Sequence, residues 1–199
     1  MNRYLRAILS CVVFTFVLLL LHYVHVRYFA VNVVLYAAVL DAVLAAGATF
    51  ALLWLVGFLR AFSPLERALL VMVWLLAGYA FAISIPTVID RSLSFYILEK
   101  LQQRGGGIRE DRMKDVFINE YVVEHRLIDI RLTEQLQSGT IEISDGCVHL
   151  TGKGERMASF GRFYRTHLLP KKRLIMGEYT DDLTDPFRGS VTDVDYQCR

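Results

Sequence analysis

The sequence has few cysteines and lacks the short motifs that carry common enzyme chemistry. Three cysteines occur in 199 residues, with Cys11 in an apolar segment and Cys147 and Cys198 in the polar half. Three cysteines neither build a disulfide framework nor form a zinc cage, although Cys147 and Cys198 could pair in an oxidising compartment. The glycines at 105–107 lack the Lys-Ser/Thr of a phosphate-binding loop, and no G-x-S-x-G elbow occurs. We therefore expect no cofactor and no metal, and the sequence favours a protein without intrinsic catalysis.

Charged residues are scarce before Asp90. That part holds five basic and two acidic residues, whereas the remainder holds seventeen basic and eighteen acidic residues. This break separates a membrane half, residues 1–89, from a soluble half. Three apolar segments, at about 7–25, 31–59 and 65–85, are long enough to cross a hydrocarbon core of about 30 Å. We therefore expect a membrane all-α domain of three transmembrane helices, the first retained as an anchor because no A-x-A-like cleavage site follows it.

Local signals support these boundaries. In 63-SPLE-66, Ser63 is a predicted N-cap, Pro64 occupies the first helical position, and Glu66 can complete a capping box. Small residues at helix-packing spacing, such as Gly78 with Ala82, indicate close contact between the spans.

Asp41 is the one ionisable residue well inside a predicted span. An intramembrane carboxylate is costly, so it indicates either a role in transport or catalysis or a contact with a neighbouring helix or subunit. The segment is longer than the core requires, so Asp41 can lie near an interface, which favours the contact. His22 and His25 share one helical face and could form a haem or metal ligand pair. Their place at the end of the span favours an interfacial polar cluster, so we predict Asp41, His22 and His25 as intramembrane polar contacts.

The soluble half predicts helices followed by a hairpin and a further helix. The predicted helices lie at about 91–103, 110–121, 124–137 and 154–169. Between the last two, the period becomes alternating in 140–144 and 147–151, on either side of Asp145-Gly146. Two short runs separated by Asp-Gly are a strong hairpin signal.

Three passages in this part follow one another in a familiar order: 136-LQSGTIEI-143, the turn 145-DG-146, and 150-LTGKGE-155. The series resembles the "helix, SG, strand, turn, LT-x-x-G, helix" passage of many winged-helix proteins. The resemblance covers about residues 91–169, roughly 40% of the chain. It implies a small α+β winged-helix-like domain at 90–170, but a fold alone does not indicate a function.

Charge separates two surfaces of this domain. DNA binding by a winged helix depends on Lys and Arg, yet residues 90–150 carry eight basic and eleven acidic residues, so nucleic acid is not the expected partner. Positive charge concentrates between 151 and 173, against the single acidic Glu155. The basic residues there are Lys153, Arg156, Arg162, Arg165, Lys171, Lys172 and Arg173. This block predicts a surface for anionic lipid headgroups or an acidic partner, with a solvated face as the alternative.

The remaining residues, 171–199, are predicted to form a basic linker and an acidic extended tail. The positive-inside rule does not decide the orientation, because three spans place four basic residues at each side of the membrane. Since most winged-helix modules work in the cytosol, we place the soluble half in the cytoplasm, on a bacterial inner membrane.

Three functions fit these features. The first is a non-catalytic accessory or regulatory subunit that docks to a larger integral membrane protein, such as one of cell-envelope polysaccharide synthesis or export. In it, the winged-helix domain is a protein-interaction module at the membrane surface. The alternatives are a membrane-tethered winged-helix transcription regulator, and a small membrane enzyme or transporter using Asp41.

Overall fold

The computed structural model describes residues 2–190 and Cys198, and it is mostly helical. The chain divides into two compact units, residues 1–126 and residues 127–199. This boundary lies well beyond the one expected after residue 89. It does so because the helices that follow the third span belong to the same compact unit as the spans.

Three helices in the first unit are long and apolar enough to cross a membrane. Helix α1 spans Arg3–Tyr28, α2 spans Val34–Leu55, and α3 spans Pro64–Ala82. A π-helical segment, Ile83–Thr87, and a helical turn, Val88–Arg91, extend α3. The three predicted spans are therefore confirmed as helices, and their length and composition are consistent with an integral membrane protein.

The start of α3 follows the predicted chemistry. Ser63 caps the helix by accepting a hydrogen bond from the Glu66 backbone N–H, and the Glu66 carboxylate accepts one from the Ser63 N–H. Pro64 occupies the first helical position. The capping box is thus confirmed, and it ends the turn that contains the short 3₁₀ helix Phe58–Ala61.

Aromatic and small side chains form the core between the spans. The rings of Phe14 in α1 and Trp74 in α3 stack with their centroids 5.9 Å apart, and both side chains are buried. Next to them α3 approaches α2 so closely that a Cβ added at Gly78 would lie 2.5 Å from the Ala42 Cβ. A glycine is therefore required where these two helices meet.

We expect Gly78→Ala to destabilise the membrane unit by about 1–2 kcal/mol, because the added methyl group overpacks the contact with Ala42. Gly47→Ala in α2 is the matched control, since a Cβ there would meet nothing within 4 Å. The measurement is denaturant unfolding of the full chain in detergent, followed by tryptophan fluorescence. Equal destabilisation by both variants would contradict the close approach.

The first unit continues outside the spans with two helical segments. Helix α4 spans Leu93–Gln103, with Ser92 as its N-cap. The predicted helix at 110–121 is instead a series of 3₁₀, α, π and α turns that reaches Glu124. The π turns at Val116–Tyr121 change the helical phase, which a regular 3.6-residue pattern cannot anticipate.

The described part of the second unit contains two helices and two hairpins. Helix α5 spans Leu127–Ser138 and α6 spans Gly152–His167. Between them, β1 (Ile141–Ser144) pairs antiparallel with β2 (Cys147–Leu150). Asp145 and Gly146 have φ angles of 53° and 77°, as a type I′ turn requires, so the Asp-Gly hairpin is confirmed.

A second hairpin lies where the sequence predicts a linker and an extended tail. Strand β3 (Arg173–Ile175) pairs with β4 (Glu178–Thr180) around Met176-Gly177. The predicted linker and extended tail did not include this hairpin, since strands of three residues are too short to show alternation. Residues 191–197 of the predicted tail lie outside the described residues, while Cys198 forms a disulfide with Cys147 at the start of β2.

Hydrogen bonds tie the end of α5 to the start of α6. The Thr151 backbone N–H donates to the Thr140 carbonyl at 3.1 Å, and its hydroxyl donates to the Gly139 carbonyl at 2.8 Å. The Thr151 hydroxyl also caps α6 by accepting from the Gly154 N–H. Gly154, the glycine of the LT-x-x-G passage, is buried in this corner, where the start of α6 meets Thr140 just after the end of α5.

Candidate functional site

Asp41 is one of the few buried polar side chains of the membrane helices in the described part of the chain. Its side chain is 2% exposed, and each carboxylate oxygen contacts one histidine of α1. His22 Nδ1 lies 2.8 Å from Oδ2, and His25 Nδ1 lies 2.6 Å from Oδ1. The structure therefore brings together all three predicted intramembrane polar residues.

The antiparallel arrangement of α1 and α2 explains this meeting. His22 lies six residues before the end of α1 at Tyr28, and Asp41 lies seven residues after the start of α2 at Val34. At about 1.5 Å per residue, both are roughly 10 Å from the turn between the helices. The cluster thus lies in the half of each helix that is next to the α1–α2 turn.

Aromatic rings and a third helix enclose the cluster. Phe81 of α3 contacts the His22 ring edge to face at 5.3 Å between centroids, and Phe29 contacts the His25 ring in the same way at 5.8 Å. The histidine side chains are 17% and 23% exposed. The carboxylate is therefore shielded, while both imidazoles reach the surface of the helix bundle.

This geometry suits an interhelical clamp. A buried carboxylate is costly unless it is paired and hydrogen-bonded, and two imidazole N–H groups supply that compensation from the neighbouring helix. Among the residues that the structure describes, no group of three or more His, Cys, Asp or Glu side chains is arranged to hold a metal ion. By joining His22 and His25 of α1 to Asp41 of α2, the clamp fixes how far the two helices are shifted along each other and which faces they turn toward each other.

The predicted basic surface divides between several positions of the second unit. Four of its residues, Lys153, Arg156, Arg162 and Arg165, lie on α6. Lys171 and Lys172 precede β3, and Arg173 begins it. Lys153 donates to the Ser138 carbonyl and so completes the C-terminus of α5, which gives this residue a structural contact.

Sequence reasoning missed a second polar cluster, which lies outside the spans in the first unit. Lys100 of α4 is 4% exposed, and its ammonium group lies 2.8 Å from Glu120 and 2.7 Å from Glu124. Tyr96 donates to Glu124 at 3.0 Å, and Arg104 donates to Glu120 at 2.9 Å. The cluster fastens α4 to the 110–124 segment.

Ionisation in this cluster is mutually reinforcing. Hydrogen bonds from Lys100 lower the pKa of Glu120 and of Glu124 below the ordinary 4.5. Hydrogen bonds to the two carboxylates raise the pKa of Lys100 above 10.5. Burial, followed by the hydrogen bond to Glu124, raises the pKa of Tyr96. The charged forms are therefore favoured across the physiological range.

We expect the contact between α4 and the 110–124 segment to weaken in acid and in strong base. The contribution of the two carboxylates is present above pH 4.5 and is lost as the pH falls through their lowered pKa values. The contribution of Lys100 is complete below pH 10.5 and is lost as the pH rises through its raised pKa. Hydrogen exchange of residues 93–124, corrected for intrinsic rates, measures the loss of stability in acid and in base.

Lys100→Met should remove most of this pH dependence, because the carboxylates lose their common partner. Arg109→Met is the control, since Arg109 pairs with Asp111 two residues away and both side chains are exposed. Unchanged pH dependence in Lys100→Met would show that the cluster does not hold the two segments together.

Comparison of the chain with protein-family models, with curated proteins and with solved structures finds no match. The site must therefore be interpreted from its own geometry and chemistry.

Proposed function

We propose that the chain is a non-catalytic accessory or regulatory subunit of a larger membrane complex. The observation that carries this proposal is an apolar face of α6 that stays exposed outside the membrane. Met157 is 58% exposed, Phe160 65% and Tyr164 43%, and these positions lie on one side of the helix. An exposed apolar face beside basic residues is typical of a protein interaction surface.

The pairing of Asp41 supports this role over transport. Both carboxylate oxygens are bound within the chain, so the group can act as an internal clamp without a further ligand. In the same proposal, the region from 90 to 170 is a winged-helix module that contacts a larger integral membrane protein. Such a partner would belong to cell-envelope polysaccharide synthesis or export in a bacterial inner membrane.

Purification in mild detergent with mass spectrometry of the associated chains tests the subunit role. We expect a large membrane protein at fixed stoichiometry, and we expect Phe160→Ser with Tyr164→Ser to release it. Tyr179→Ser is the control, because Tyr179 is also an exposed aromatic residue but lies on β4. A lone monomer, or a complex that the α6 variant leaves intact, would reject the proposal.

The side of the membrane on which the soluble region lies is a separate question. The cytoplasmic placement rests on the winged-helix resemblance, whereas the Cys147–Cys198 disulfide favours an oxidising compartment such as the periplasm. In this orientation the N-terminal end of α1, with Arg3 and Arg6, lies in the cytoplasm, as the positive-inside rule favours. We propose this second placement on the strength of the disulfide.

Thiol labelling of intact cells tests the placement. Non-reducing electrophoresis should show the bridge in freshly quenched cells, and after reduction a membrane-impermeant maleimide should label Cys147. Cys11 lies inside α1 and serves as the internal reference for labelling after solubilisation. Free cytoplasmic thiols would restore the placement expected from the sequence and would keep the DNA-binding alternative open.

The transporter alternative draws on one observation. His22 and His25 connect a buried carboxylate to the surface of the bundle, as a proton relay requires. Proton flux into liposomes that contain the purified chain, abolished by Asp41→Asn with folding intact, would support this alternative.

A further inference from the structure

A cleft of about 500 Å³ opens in the second unit between one face of α6 and the segment 184–187. It is lined by Ala158, Ser159, Gly161, Arg162, Arg165, Thr184, Asp185, Pro186 and Phe187. All of these residues belong to the same compact unit. The cleft therefore does not depend on the placement of the membrane helices.

Small residues make room on the helix side. Ala158, Ser159 and Gly161 are the short side chains of this face, and a Cβ added at Gly161 would meet nothing within 4 Å. At about 100° per residue, this face points away from the one that carries Met157 and Tyr164. The cleft and the proposed partner surface are thus separate features of α6.

Two contacts fix the opposite wall. The Thr184 hydroxyl donates to the Lys171 carbonyl at 2.8 Å, and this bond anchors the segment 184–187 to the residues just before β3. Arg188 donates to the carboxylates of Asp181 and Asp182, which closes the turn around the wall. The wall is therefore held in place, and these two acidic residues are engaged outside the cleft.

The charge of the cleft is positive. Arg162 and Arg165 lie three residues apart on the helix, and both line the space, against the single carboxylate of Asp185. A guanidinium group presents a planar set of donors that matches phosphate oxygens. The hydroxyl of Ser159 adds a donor on the same wall.

We propose that this cleft binds a phosphate-bearing group, held by Arg162 and Arg165. The phosphate could be carried by an anionic lipid headgroup or by a small soluble phosphate compound, and the chemistry of recognition is the same. Phe187 supplies an apolar edge beside the anion site. The proposal does not rest on the subunit role, because it uses the other face of α6.

The test uses the full chain in lipid nanodiscs. In one arm, discs of phosphatidylcholine are titrated with inorganic phosphate and with glycerol phosphate by calorimetry. In the other arm, part of the phosphatidylcholine is replaced by phosphatidylglycerol. Hydrogen exchange of residues 158–165 and 184–187 reports occupation of the cleft in both arms.

We expect protection of both walls, and a loss of affinity of about tenfold or more when either arginine is replaced by alanine. Gly161→Leu should block binding by filling the cleft without changing its charge. Arg156→Ala is the matched control, because Arg156 is a basic residue of the same helix that does not line the cleft. Protection only with phosphatidylglycerol identifies a lipid headgroup, and protection by the soluble compounds identifies a free phosphate.

Two results would overturn the proposal. One is the absence of saturable binding in both arms. The other is an equal loss of binding in Arg156→Ala and in the arginine variants of the cleft, which would indicate general attraction to positive charge. Neither result bears on co-purification with a membrane partner, so the two proposals can fail separately.

Discussion

Gly154→Ala is expected to destabilise the second unit by about 3 kcal/mol, near the upper end of the usual cost of overpacking. A Cβ added at Gly154 would lie 2.0 Å from the Thr140 carbonyl oxygen and 2.7 Å from a methyl group of Leu150. The oxygen belongs to the backbone at the start of the hairpin, so it cannot turn aside. The start of α6 or the β1–β2 hairpin must move instead.

The displacement would also break the hydrogen bonds that meet at this corner. The Thr140 carbonyl accepts the Thr151 N–H, and the Thr140 side chain is almost fully buried. Hydrogen exchange of the β1–β2 hairpin and of α6 in the full chain measures the loss of local stability.

Gly161→Ala is the matched control for this prediction. It makes the same change in the same helix, but in open space, where alanine gains helix propensity of up to about 1 kcal/mol. We therefore expect the two substitutions to change the stability of α6 with opposite signs. Destabilisation by Gly161→Ala, or no effect of Gly154→Ala, would refute the close approach.

Asp41→Ala is expected to destabilise the contact between α1 and α2 by about 2–3 kcal/mol. The substitution removes two interhelical hydrogen bonds and leaves the His22 and His25 donors without their acceptor in an apolar setting. Asp41→Asn should cost about half as much, because its amide oxygen can still accept one of the two bonds. Denaturant unfolding in detergent, followed by tryptophan fluorescence, gives the free-energy change.

Thr15→Ala is the control for the Asp41 series. Thr15 lies on the exposed side of α1, and its hydroxyl donates to the Cys11 carbonyl of its own helix. Its removal should leave the helix contact unchanged. A neutral Asp41→Ala would exclude the clamp, whereas a folded Asp41→Asn chain that has lost a measured proton flux would favour the transporter.

The sequence predicted the membrane helices well because their signal is strong and local. Long apolar runs define the spans, and Ser63, Pro64 and Glu66 define one boundary through bonds between close neighbours. The Asp145-Gly146 turn was predictable for the same reason, since both residues adopt positive φ angles readily.

Features that depend on distant contacts were harder to predict. The residues of the intramembrane cluster were identified, and their meeting follows once α1 and α2 are known to be antiparallel. The Lys100 cluster was not identified, because the π turns at Val116–Tyr121 place Glu120 and Glu124 out of the regular helical phase. The division of the chain after Arg126 depends on which helices pack together, which no local pattern in the sequence shows.

The bridge between Cys147 and Cys198 makes the end of the second unit a covalent ring. The two residues are 51 positions apart, so the ring contains α6, both strands of the second hairpin and the arginine cleft. Closing a loop of this length lowers the entropy of the unfolded chain by an amount equivalent to about 4 kcal/mol of stability. A protease that cuts once between the two cysteines would therefore nick the ring without releasing a fragment, and both ends would stay attached until the bridge is reduced.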